Sequence, residues 1–239
     1  MLHTRDRLIV ALDVSTAAEA RQIVQSIGTS ISTFKVGKQL FTAEGPQIVR
    51  DLIASGRKVF LDLKFHDIPN TVAGAVRSAA ELKVAMLTVH TSGGSKMLRA
   101  AVEAVSSFDA RPMILGVTVL TSMSQADIDE VGVCGTLQSQ VLRLADLAIQ
   151  SGCGGIVASA HEAREIRRAL GTGFAIVTPG VRPAGSSHGD QARVVTPAEA
   201  IDAGASHIVV GRPITAAPNP AEAAEAILRE MQSSPAASF

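Results

Sequence analysis

Short runs of branched and apolar residues recur along the chain: LIVALD (8–13), TFKVG (33–37), KVFLDLK (58–64), AMLTVH (85–90), PMILGVTVL (112–120), GIVAS (155–159), FAIVTPG (174–180) and HIVVGR (207–212). Such residues fit extended backbone. None of the eight runs alternates cleanly with polar residues, so each predicts a strand covered on both faces. Between them lie segments whose apolar residues repeat at helical spacing, among them AAEARQIVQSI, TVAGAVRSAAEL, LQSQVLRLADLAIQ and AEAAEAILREMQ. These predict helices.

Strand and helix therefore alternate from end to end, and 239 residues divided by eight is about 30 per repeat, the size of one βαβ unit. The expected fold is α/β, a (β/α)8 TIM barrel, with residues 1–239 forming one domain and a frayed tail from about residue 233. A doubly wound open sheet shares the alternation and stays open as an alternative. Its two common phosphate fingerprints, G-x-G-x-x-G after the first strand and G-x-x-x-x-G-K-[ST], do not occur. Two irregular stretches stand out: 121–135 after the fifth strand, a candidate active-site loop, and 179–197 after the seventh, dense in Gly, Pro and Ser and expected to include a mobile lid.

Composition narrows the function. Twenty-two basic residues balance 22 acidic ones, which removes the electrostatic footprint of a nucleic-acid binder. No apolar stretch approaches the roughly 18 residues needed to cross a bilayer. Cys134 and Cys153 have neither metal-ligand nor disulfide spacing, and a reducing, cytoplasmic setting is expected. With no Trp or Tyr and seven Phe, a flat ligand must be held by its polar edges or a phosphate rather than by broad stacking.

Charges cluster where strands end, the place where barrels build active sites. Asp13 closes the first strand, Lys35 lies in the second, Asp62 and Lys64 close the third, Asp67 follows, and His90 ends the fourth. Strand periodicity places Asp62 and Lys64 on one face, with Leu61, Leu63 and Phe65 on the other. One such pair could be a structural ion pair, but converging Asp13, Lys35, Asp62, Lys64 and Asp67 desolvates more charge than structure alone needs. Carboxylates beside Lys64 favour its protonated form, which suits a general acid and a fixed positive charge rather than a Schiff-base nucleophile. Arg182 follows the seventh strand. Gly211 and Arg212 follow the eighth, with Pro213 able to open a short helix, so the two loops together read as a phosphate grip, or else as surface arginines beside turn glycines.

These residues carry a resemblance to the orotidine 5′-phosphate decarboxylase family. The matching stretches are ALD ending at Asp13, FKVG with Lys35, DLKFHDIPNT from Asp62 to Thr71, TVHTSGG from Thr88, GVTVLTS to Ser122, PGVR to Arg182 and VVGRPIT from Val209. The resemblance spans nearly the whole length. It implies conversion of orotidine 5′-monophosphate to uridine 5′-monophosphate and carbon dioxide, the last step of de novo pyrimidine nucleotide synthesis, with no cofactor and no metal. By this likeness Lys64 protonates C6, Asp62 lies beside the substrate carboxylate, and Lys35 belongs to the same charge array. Asp13 and Lys35 contact the ribose, and Thr121 meets the pyrimidine edge. Gln191 bridges base and phosphate from the lid, and Arg182, Gly211 and Arg212 hold the phosphate. Asp67, Ile68 and Thr71 are implied to reach the partner's site in a homodimer.

Two rivals stay open: a metal-dependent phosphosugar decarboxylase or synthase on the same barrel, and a phosphate-ligand binding protein on a barrel that has lost catalysis. Among the histidines, His66 is expected by strand parity to point away from Lys64. His90 is expected just behind the site, and His161, His188 and His207 as surface or capping residues.

Overall fold

The computed structural model describes residues 3–183 and 195–233. Eight parallel strands, β1 (Leu8–Ala11), β2 (Thr33–Gly37), β3 (Lys58–Phe65), β4 (Met86–His90), β5 (Met113–Val117), β6 (Gly155–Val157), β7 (Ala175–Thr178) and β8 (His207–Val210), form a closed barrel in sequence order. Closure comes from β1 pairing with β8, with Ile9 opposite Val209. This is the (β/α)8 barrel rather than the open sheet. Several strands stop short of the apolar runs that predicted them, because the last residues, Asp13 and Gly180 among them, belong to the loops at the barrel mouth.

Strand parity sorts side chains between two cores. Leu8, Val10, Leu12, Phe34, Val36, Val59 and Leu61 belong to the large apolar layer shared with the surrounding helices. Ile9, Ala11, Phe60, Leu115, Val177 and Val209 form a second, smaller cluster inside the barrel. Following the inward parity of β1 beyond Ile9 and Ala11 reaches Asp13. An apolar plug thus fills the barrel and charged residues crown it.

The helices begin where local chemistry dictates. Ala17–Ile27 starts from a reciprocal cap between Thr16 and Glu19, and Leu137–Gln150 from the Thr136 hydroxyl. The 121–135 stretch, read from sequence as a loop, contains a short helix, Gln125–Glu130, capped by Ser124 and Asp127. The Gln125 side chain ties it to the next helix, accepting from the Leu137 N–H at 2.7 Å and donating to the Gly135 carbonyl at 3.0 Å.

His207 corrects an expectation. It is not a surface or capping residue but lies 4% exposed at the start of β8, where the helix Thr4–Arg7 packs. Burial first, and then the Arg7 guanidinium, lower its pKa to about 4. Its Nδ1 has no hydrogen-bond partner among the described residues. His161 is exposed as expected. The expected lid glutamine Gln191, His188 and the tail from 234 lie outside the described residues. Both cysteines are free, Cys134 exposed and Cys153 buried, and burial pushes the Cys153 thiol up to about 12. Among the described residues no helix is long and apolar enough to cross a membrane.

Candidate active site

A cavity of about 450 Å³ opens at the carboxyl ends of the strands. Asp13, Lys35, Asp62, Lys64, Thr121, Arg182, Gly211 and Arg212 all line it. The structure thus brings together eight of the residues singled out from the sequence, drawn from both ends of the chain.

Four of them form a continuous chain of alternating charge. The Lys35 ammonium donates to Asp13 Oδ1 at 2.9 Å and lies 3.6 Å from Asp62 Oδ2. Lys64 Nζ donates to both oxygens of Asp62 at 2.8 Å. Burial alone would raise the Asp62 pKa, but the Lys64 and Lys35 ammonium groups, with hydrogen bonds from Lys64 and Thr88, outweigh it and hold the carboxyl below its usual range. Asp62 is therefore an anion poised between two cations.

Backbone geometry makes this possible. Lys64 has φ +52°, a left-handed conformation uncommon for a residue with a Cβ. The β3–β4 register slips at this point: Leu61 lies opposite Leu87, but Phe65 lies opposite Val89. Simple strand alternation is not the reason that Asp62 and Lys64 meet; an irregular turn of β3 folds the lysine back. Gly37 makes room on β2, since a Cβ there would stand 3.0 Å from Lys35 Nζ and 3.2 Å from Asp13 Oδ1.

The cavity is also lined by apolar residues, among them Val117, Val157, Val177 and Val209. The Arg182 residue is 8% exposed, and its backbone N–H donates to the Val195 carbonyl at 3.0 Å. Arg212 opens the short helix Arg212–Thr215 directly after Gly211. Two arginines lining one cavity suit a doubly charged oxyanion.

Asp67, Ile68 and Thr71 are not brought into this cavity. Asp67 is exposed and accepts from the Ile68 N–H at 2.6 Å, Ile68 is 66% exposed, and Thr71 is exposed in the first turn of the helix Pro69–Glu81. The expectation that Asp67 flanks Lys64 does not hold within one chain, because the loop carries it outward past the rim. His66 is likewise exposed, its ring 5.5 Å from that of the half-buried His90. Burial first, then the neighbouring His66, Lys38 and Lys64, lower the His90 pKa against the opposing pull of Asp62. Among the described residues, no group of three or more His, Cys, Asp or Glu is placed to hold a metal ion.

Thr88, at the start of TVHTSGG, has no role that its sequence position announces. It is fully buried on β4 and bonded to both the Lys64 backbone and Asp62. The available signal was a lone hydroxyl inside the apolar strand MLTVH.

A closed barrel with paired acids and bases and two arginine loops at the carboxyl ends of its strands defines an enzyme acting on an anionic small molecule. The family model described as orotidine 5′-phosphate decarboxylase / HUMPS family matches residues 6–227, and the chain belongs to this family. A relative from Halorhodospira halophila (strain DSM 244 / SL1), named orotidine 5′-phosphate decarboxylase, is 54% identical over 225 residues, 94% of this chain and 95% of its own length. One of the same name from Moorella thermoacetica (strain ATCC 39073 / JCM 9320) is 52% identical over 237 residues, covering 97% and 94%. The crystal structure of orotidine 5′-phosphate decarboxylase from Lactobacillus acidophilus superposes with a TM-score of 0.85 at 37% identity, covering 95% of this chain and all of that one.

Proposed function

We propose that this chain, as one catalytic domain, decarboxylates orotidine 5′-monophosphate to uridine 5′-monophosphate and carbon dioxide, the step that completes pyrimidine nucleotide synthesis. The family and the names of its relatives support the reaction. The single observation that carries the chemistry is Lys64 Nζ held on both oxygens of Asp62 at the cavity wall.

Arg182 and Arg212, with the backbone at Gly211, take the phosphate. Asp13 and Lys35 take the ribose hydroxyls, and Thr121 meets the pyrimidine edge. This pose sets the substrate carboxylate against Asp62 and directs C6 at Lys64. The C6–carboxylate bond breaks, carbon dioxide leaves, and its bonding electron pair stays on C6. That pair takes a proton from the Lys64 ammonium, and the resulting amine regains one from solvent. The ring delocalises such an anion poorly, so stabilisation rests on a fixed charge in a partly dehydrated site. At about 4 Å and an effective dielectric near 20, one unit charge on another has a gross Coulomb energy of roughly 4 kcal/mol, opposed by desolvation.

Asp67, Ile68 and Thr71, turned outward in one chain, fit a role at the partner's site in a homodimer. Two free cysteines support a cytoplasmic setting. Incubation with orotidine 5′-monophosphate in excess chelator, followed by the fall in ultraviolet absorbance, tests the reaction. Steady conversion is expected; activity that requires an added divalent metal would favour a phosphosugar enzyme of the same barrel.

A further inference from the structure

Between the paired positions Leu61–Leu87 and Phe65–Val89, three residues of β3, Asp62, Leu63 and Lys64, face the single residue Thr88 of β4. Such a slip disrupts the regular ladder and leaves backbone groups needing other partners. Thr88 is fully buried, and its Oγ1 accepts the Lys64 N–H at 2.9 Å. With that lone pair engaged, the hydroxyl proton is directed to Asp62 Oδ1 at 3.0 Å. One hydroxyl therefore joins the backbone of Lys64 to the carboxylate that its own ammonium touches.

Resting on the reading above, in which Lys64 and Asp62 carry the chemistry, we propose that Thr88 is a positioning residue: its hydroxyl sets the left-handed turn of Lys64 and fixes the orientation of the Asp62 carboxylate. Valine has nearly the same shape but can neither accept the Lys64 N–H nor donate to Asp62. Its introduction frees the turn to relax and moves the ammonium away from the reacting carbon. Thr88 does not line the cavity, so the effect falls on turnover and not on substrate affinity.

The test compares Thr88→Val, Thr88→Ser and Lys64→Ala in the full-length enzyme, measuring kcat, KM, the pH profile of kcat, and affinity for uridine 5′-monophosphate. In Thr88→Val, kcat is expected to fall roughly 10- to 100-fold, with KM and product affinity within about threefold of the parent. The acid limb of its kcat profile is expected to move to higher pH, because the carboxylate has lost a donor. Thr88→Ser, which keeps the hydroxyl, is expected to stay within about fivefold of the parent, with its acid limb unmoved. Parental turnover in Thr88→Val, or equal slowing of both variants with an unmoved acid limb, would overturn the proposal in favour of packing alone. If Thr88→Val neither melts cooperatively nor binds the product, Thr88→Cys, a weaker donor and acceptor of similar bulk, carries the same comparison. Parental turnover in Lys64→Ala would overturn the reading beneath, whereas an inactive Lys64→Ala beside a normal Thr88→Val would overturn the role of Thr88 alone.

Discussion

Lys64 and Asp62, two residues apart on one strand, meet through both carboxylate oxygens at 2.8 Å. The contact places a cation at the wall of the cavity while a neighbouring anion secures it. In the proposed mechanism, removing the ammonium removes both the proton donor and the fixed charge. Lys64→Ala is therefore expected to lower kcat by roughly a thousandfold or more, with product still bound through Arg182 and Arg212. Absorbance assays and calorimetric titration with uridine 5′-monophosphate check the two halves of this expectation; retained turnover would refute it.

Gly37 faces the other end of the charge chain. A methyl group there would press on Lys35 Nζ at 3.0 Å and Asp13 Oδ1 at 3.2 Å. Gly37→Ala is expected to weaken product binding by about tenfold, equivalent to roughly 1.4 kcal/mol, with little change in melting temperature. Equal affinity in the two proteins would show that the lysine yields at no cost.

The outward position of Asp67 makes a prediction about assembly. If it completes the partner's site, Lys64→Ala and Asp67→Ala should each be nearly inactive alone yet recover activity when unfolded and refolded together. Random pairing leaves one unmutated site in each mixed dimer, so roughly a quarter of parental activity is expected in a symmetric dimer. Absence of recovery would place Asp67 in its own chain's site or outside catalysis.

His207 governs a separate, acid-dependent effect on stability. Its pKa is depressed in the folded protein from 6.5 to about 4, so folding favours the neutral ring. This contribution is complete above pH 6.5 and is lost as pH falls toward 4, by up to about 3 kcal/mol. In His207→Asn, urea unfolding free energies measured across this window are expected to fall less steeply than in the parent. Parallel slopes would exclude the histidine as the titrating group.

Much of this was legible in the residue pattern. The eight apolar runs located all eight strands, because branched residues covered on both faces leave a signal independent of what covers them. That Asp13 and Lys35 meet at the barrel mouth was readable from their position at strand ends, and that Arg182 and Arg212 reach the same cavity from the loops that follow β7 and β8. His207 was misread because burial at the lower end of β8 depends on the helix Thr4–Arg7, some 200 residues earlier in the chain.

The chain by itself determined the order of strands and helices and which charged residues lie beside each strand end, since both follow from local spacing and propensity. Tertiary structure alone decided three things: that β1 meets β8, that the β3–β4 slip turns Lys64 back onto Asp62, and that the loop bearing Asp67 points away. The first two depend on pairing between separate strands, where hydrogen bonding across strands outweighs the periodicity of any one of them; the third depends on the chain leaving the strand ladder after Phe65, so that no partner strand holds Asp67 and Ile68 at the cavity.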